Sequence, residues 1–294
     1  MEKNFISQLM KDLENEFVPQ MKEKSDEAVS SPKNFKSFSP STKDFIDQQS
    51  IDIINQNPAN NKTGILLFLK YPEPEKVKSR LSKELGVTIA LHFYHCFVVD
   101  VLTTIKSLNL PIVICYSPAN SKQKFKKWLG KHYLFINVQG ESFGQKLQYC
   151  FQNAFRQGFH QVILVASDNP DIPKEYLTEA IGSLQLNDVV IGPCDDGGYY
   201  LLGFTKKGFT PIVFDDIPWS TPRVFQKTFD ILQEKKRVTH ILPTWYDIDT
   251  FEDLLKFYDR NKDSPLDSLT TMTALNTYLK KNYNLQNYKF RDNE

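Results

Sequence analysis

Four short stretches combine charge, glycine and proline in ways that suit chemistry on phosphates. LKYPEPEKVKSRLSKELG (69–86) carries Lys70, Lys76, Lys78 and Arg80 in a proline-stiffened loop that runs into a helix. Cations beside a helix N-terminus suit phosphate oxygens, because their charge and the free backbone N–H groups act together. The ordinary alternative is a solvated basic loop. ASDNPDIP (166–173) places Asp168 directly after an apolar run and before Pro170. A carboxylate there can hold a divalent cation that bridges phosphates, although aspartate is also a common turn and capping residue. Asp171, just before Pro173 and the helix expected after it, fits that ordinary role better.

IGPCDDGGYYLLG (191–203) follows two acids, Asp195 and Asp196, with Gly197 and Gly198. The glycines permit a sharp bend and close backbone approach to a ligand, and the acids can orient hydroxyls. Asp-Gly is equally a strong hairpin signal, and both readings can hold at once. In WYDIDTFEDL (245–254), Asp247 and Asp249 alternate with Ile248 and Thr250, and one of the two acids could be a second metal ligand. Thr250 with Asp253 resembles a capping box for the next helix. IPWSTPRVFQKT (217–228) adds Trp219, which could stack on a ligand ring, and Ser220 or Thr221 as an N-cap with Pro222 at the first helical position.

Several chemistries lack their residues. GxxxxGK[ST] is absent, so a P-loop nucleotide hydrolase is unsupported, and no GxSxG elbow or histidine spacing suggests a nucleophile with its base. The late DxD lacks the position and following residue of haloacid-type phosphatases. Cys96, Cys115, Cys150 and Cys194 show no CxxC spacing, which fits free thiols in a reducing cytosol and a cytoplasmic location.

The elements that must hold these stretches read as an α/β pattern. GILLFLK, PIVICYS and HQVILVASD are short apolar runs of buried-strand type; DVVIGP, YYLLGF and VTHILP look like further strands. Helical spacing marks 88–108, 144–158 (with Gly158 as a stop) and 221–236. Alternation implies a three-layer α/β/α fold with a mostly parallel sheet. The strands 188–193 and 199–204 are too close for a crossover helix, so a hairpin and a mixed sheet are expected. Ligands of such sheets bind beyond the carboxyl ends of the strands, where all four stretches lie.

The chain has 294 residues and a formal charge of +1, which argues against a nucleic-acid partner driven by bulk electrostatics. No uninterrupted apolar run approaches a membrane span, and the N-terminus is charged where a signal peptide is apolar. Residues 1–62 read as a flexible extension: 18–44 are rich in Lys, Ser, Pro and Glu. Within it, Phe5, Ile6, Leu9, Met10, Leu13 and Phe17 form an apolar helical face that packs on the main domain or, less commonly, docks a protein partner.

In this order, KYPEPEKVKSRL, SDNPDIP, GPCDDGGYYLLG, PWST and DIDTFEDL resemble the cofC-like transferase family, grouped with glycosyltransferases and radical-SAM/selenodomain-associated transferases. Some members are linked with arsenosugar biosynthesis. The resemblance covers 64–260. It implies the A-type glycosyltransferase (nucleotide-diphospho-sugar transferase) fold, shared with lactyl-phosphate and molybdenum-cofactor guanylyltransferases. It further implies a nucleoside phosphate near the first loop and Mg²⁺ or Mn²⁺ on Asp168 and Asp249, with Asp247 as the alternative second acid.

On this basis Lys70, Lys78 and Arg80 are expected to neutralise donor phosphates. Asp196, Gly197, Gly198, Trp219 and Ser220 are expected to shape the acceptor pocket. Glu75 departs from the family, standing where glycine is usual and bringing a repelling charge to the phosphate loop. The expected organisation is an extension (1–62), a transferase domain (63–260) and a C-terminal helical appendage (261–294). The expected function is metal-dependent glycosyl transfer from a nucleotide-activated donor to a small-molecule acceptor. Nucleotidyl transfer with pyrophosphate release is the alternative, and a non-catalytic nucleotide-binding protein on the same fold is a second.

Overall fold

A computed structural model describes residues 63–74 and 76–283. The extension, its apolar helical face and Glu75 lie outside the described residues.

Seven strands form one sheet in the order β3-β2-β1-β4-β6-β5-β7. They are β1 (Thr63–Lys70), β2 (Ile112–Ser117), β3 (Leu134–Asn137), β4 (Gln161–Val165), β5 (Val189–Pro193), β6 (Tyr199–Thr205) and β7 (Thr239–Ile241). All neighbours pair in parallel except β6, which runs antiparallel to both β4 and β5. The expected hairpin is therefore present, and it makes the sheet mixed.

Eight α-helices are described: α1 (Ser79–Leu85), α2 (Val87–Lys106), α3 (Lys122–Leu129), α4 (Phe143–Arg156), α5 (Lys174–Ser183), α6 (Val224–Glu234), α7 (Phe251–Asn261) and α8 (Thr270–Tyr283). Alternation along β1 sends Ile65, Leu67 and Leu69 to a core with α2, α3 and α5, and Leu66 to a core with α4 and α6. The three-layer arrangement follows from strands apolar on both faces. A third cluster packs α7 and α8 on the outer side of α2 through Phe93, Phe97, Phe257, Met272 and Leu275. Asp100 of α2 is buried and accepts the Thr270 and Thr271 N–H groups at 2.8 and 2.7 Å, capping α8.

Local signals set most boundaries. Ser142 and Gln145 form a capping box at the start of α4, and Thr250 and Asp253 form one at the start of α7. Two elements carry weak sequence signals: β3 has only four residues, and α3 (KQKFKKWL) hides a two-residue buried stripe among lysines. Thr221 does not cap α6, which starts at Val224. Ser220 sits at φ 62°, and Thr221 Oγ1 instead donates to the Pro218 carbonyl at 2.6 Å. Among the described residues α2 alone is long and apolar enough to cross a membrane, with mean hydropathy 1.4. More than half of it is buried inside the domain, as befits a core helix.

Candidate active site

The carboxyl ends of β1, β4 and β5 open on the same side of the sheet, and the acidic stretch 245–249 runs across them. Trp245 donates its N–H to Pro193 and accepts from Asp195, while Ile248 N–H donates to the Asp168 carbonyl at 3.1 Å. These backbone bonds bring Asp168, Asp247 and Asp249 together from positions about eighty residues apart in sequence.

Lys78 is the centre of the arrangement. Its backbone takes the left-handed conformation at φ 47°, just before α1. Its ammonium donates to Asp249 Oδ1 at 2.9 Å and the Ile248 carbonyl at 2.7 Å, and it pairs with Asp168 Oδ2 at 3.0 Å. The Phe97 ring lies 5.8 Å away. Three protein oxygens thus surround the ammonium. The side chain is only 4% exposed. Burial opposes its charge, but the two carboxylates hold its pKa above the ordinary value. Burial would likewise raise Asp249, yet Lys78 and Arg80, the latter at 3.3 Å, hold its carboxyl below the usual range.

Asp247 has a different neighbourhood, dominated by other acids. Ligand atoms of Asp247, Asp196 and Cys194 lie within 4.8 Å of one another. Burial, reinforced by Asp196, Asp249 and Asp168, pushes Asp247 up to about 7 against the pull of Lys78. Cys194 is pushed up by burial and by Asp247, Asp196 and Asp195, so it is a neutral thiol. Four carboxylates thus surround two cations, leaving two acids unmatched. Such a set suits one divalent cation of the oxygen-preferring kind; a neutral thiol adds nothing to it.

The other residues singled out in the sequence have mixed places. Lys70 and Arg80 are exposed at the end of β1 and the start of α1. Lys76 pairs with Glu73 at 2.7 Å. The Asp196 carboxylate accepts the Gly198 N–H at 2.7 Å and shapes the β5–β6 turn. Gly197 sits at φ 87°, and a Cβ there would fall 2.2 Å from the Pro222 carbonyl oxygen. The close approach it permits is therefore to the segment before α6, which is held by a 2.8 Å bond from Phe225 N–H to the Gly197 carbonyl. Trp219 meets Phe143 edge-on at 4.9 Å and Tyr199 at 6.4 Å, and Ser220 is exposed beside it.

Asp171 lies in the turn that the Ile172 N–H closes on the Asn169 carbonyl at 3.1 Å, and its carboxylate has a further role. It is buried, accepting from Trp245 Nε1 at 3.2 Å, Arg260 at 3.1 Å and Asn261 at 2.9 Å, and it ties α7 to the acidic stretch. Sequence reasoning missed Tyr94 of α2, whose hydroxyl donates to the Lys70 carbonyl at 2.9 Å beneath the site. Its only sequence signal is its place in an apolar helix.

The family described as uncharacterized protein conserved in bacteria (DUF2064) matches residues 101–221. A search of curated proteins finds no match. Distant structural matches include a cytidylyltransferase from Leptospira borgpetersenii serovar Hardjo-bovis (strain JB197), at 14% identity, TM-score 0.44, covering 79% of this chain and 99% of that one. Another is the manganese complex of Rv0371C from Mycobacterium tuberculosis H37Rv, at 14% identity, TM-score 0.42, covering 67% and 97%. A protein from Desulfovibrio desulfuricans G20, provisionally assigned as a nucleotide-diphospho-sugar transferase, matches with TM-score 0.71 and 40% identity over 74% of this chain and 95% of its own. At that identity and coverage, the chain belongs to the same family, transferase-like proteins of the nucleotide-diphospho-sugar transferase fold.

Proposed function

We propose that the protein is a metal-dependent transferase that takes a nucleotide-activated donor and moves its sugar to a small-molecule acceptor. The observation that carries this is the unmatched acid at the strand ends: four carboxylates around two cations, with Asp247 displaced to about 7. The 40% identical relative favours the sugar-nucleotide reading through its name. Mg²⁺ or Mn²⁺ would be held by Asp247 with Asp168, Asp249 and Asp196 around it, supplying positive charge for the donor phosphates and the departing diphosphate.

The chain's own residues then divide the work. Lys78 is spent on holding Asp168 and Asp249 at a fixed spacing. Donor phosphates fall to the exposed Lys70 and Arg80. The β5–β6 turn with Asp196, Gly197 and Gly198, braced by the segment holding Trp219 and Ser220, borders the acceptor side. No covalent nucleophile is required, because orientation and charge stabilisation carry such a transfer.

The test is calorimetry of the full-length protein with Mn²⁺ and a panel of nucleotides, followed by product analysis with nucleotide sugars and nucleoside triphosphates. Release of a nucleoside diphosphate from a nucleotide sugar is expected, with loss of turnover in Asp168→Ala while circular dichroism is unchanged. Pyrophosphate released from a triphosphate would replace glycosyl by nucleotidyl transfer. Absence of any nucleotide binding would leave a non-catalytic protein on a transferase fold.

A further inference from the structure

The stretch 245–249 forms a single bridge, Trp245 with Cys194, and no longer ladder among the described residues. Its backbone is therefore held by separate bonds. Trp245 is fixed twice, donating to the Pro193 carbonyl at 3.0 Å and accepting the Asp195 N–H at 3.1 Å. Ile248 is fixed twice as well, donating to the Asp168 carbonyl at 3.1 Å and accepting from Lys78 at 2.7 Å. Between these anchors lies the Tyr246–Asp247 peptide. Its carbonyl is held by a side chain: Asn169 Nδ2 donates to the Tyr246 oxygen at 2.6 Å. Asn169 is fully buried, so water does not compete for this bond. Its own backbone is restricted by Pro170 and by the Ile172 N–H on its carbonyl at 3.1 Å. Its Oδ1 finds no hydrogen-bond partner among the described residues. An apolar side chain would avoid that orphan, so the use of the amide lies in its N–H.

We propose that Asn169 is a positioning residue for the cation site: its side-chain amide locks the peptide plane before Asp247 and so holds the Asp247 carboxylate beside Asp196. The proposal rests on the reading that Asp247 helps to hold a divalent cation. The Tyr246 carbonyl carbon is the first atom of the Asp247 φ torsion, so a turn of that plane swings the Asp247 Cα–Cβ bond. Ligand oxygens of Asp247 and Asp196 lie within 4.8 Å of each other. Oxygen-preferring cations bind their ligands at about 2.0–2.6 Å, so a swing of about 1 Å takes a carboxylate out of reach. Asn169 adjoins Asp168, and one turn thus supplies both a carboxylate and the brace for the acid on the crossing stretch. Outer hydrogen bonds that orient metal ligands commonly govern affinity by about 10- to 100-fold.

The experiment is calorimetric titration of the full-length protein with Mn²⁺ alone, for wild type, Asn169→Leu, Asn169→Ala and Thr63→Val. Thermal unfolding and the electron paramagnetic resonance spectrum of bound Mn²⁺ accompany each titration. Leucine fills the space of the amide and alanine leaves a cavity, so a loss common to both belongs to the missing N–H. Both are expected to weaken Mn²⁺ about tenfold and to alter the spectrum of the bound ion, because its ligand set changes. Thr63→Val removes a buried bond, from Thr63 Oγ1 to Gln161 Oε1 at 2.8 Å, at the opposite end of β1. It should lower Tm and leave affinity and spectrum intact. Wild-type affinity and spectrum in the Asn169 variants would overturn the brace alone, as would an equal loss in Thr63→Val, which would mark general loosening. Failure of both Asn169 variants to fold would assign the residue to the fold and overturn the proposal. If wild type itself does not bind Mn²⁺, the metal reading falls and the brace with it.

Discussion

Lys78 shows how far a residue's role depends on what surrounds it. Lysine in a loop after a first strand suggests a phosphate ligand, and the sequence supports that choice. The folded chain instead gives its ammonium three protein acceptors and hides it from water. Its removal therefore acts through the acids it holds. Lys78→Met is expected to weaken divalent-cation binding and turnover by up to about a hundredfold. It should also cost on the order of 2 kcal/mol of stability, less than a fully buried pair because both carboxylates keep about a third of their exposure. Urea unfolding and Mn²⁺ titration check this together; a variant with wild-type stability and affinity would remove Lys78 from the centre of the site.

At the scale of elements, the site is built where three strand ends and two connecting segments meet. The β5–β6 turn depends on Gly197, whose positive φ and contact with Pro222 exclude any side chain. Gly197→Ala is expected to destabilise the fold by about 3 kcal/mol and to separate the turn from the start of α6. Chemical denaturation measures the first effect. Loss of protection at the Phe225 amide in hydrogen exchange measures the second, and full protection there would contradict it. The hairpin, the capping box of α7 and the main strands were legible in the sequence because local patterns specify them. The crossing of 245–249 over β4 and β5 was not, since its bonds join residues with no local signature. The tertiary role of Asp171 was not legible for the same reason: the aspartate reads as a turn residue, which it is, but Arg260 and Asn261 arrive from a distant helix.

At the scale of the molecule, two helical layers bury groups that titrate in the acid range. His95 of α2 lies against Trp128 of α3 at 4.4 Å, and burial, aided by His92, lowers it to about 4. An unfolded histidine near 6.5 binds its proton first, so this group favours the native state less as pH falls from 6.5 towards 4. His95→Phe is expected to reduce the loss of stability between pH 7 and pH 5, by on the order of 2 kcal/mol. Denaturant melts at the two pH values test this; an unchanged difference would show that His95 protonates freely in the native state.

The order of apolar runs and acidic stretches determined the fold class and the end of the sheet where the site lies, because strand periodicity and turn chemistry are local and survive in one dimension. The choice among the acids and bases was decided only in three dimensions. Asp249 faces a captured ammonium while Asp247 faces other acids, and this difference of charge environment sets which carboxylate is left in need of a cation. Such environments are sums over groups far apart in sequence, screened by burial, and they come into being when the chain closes.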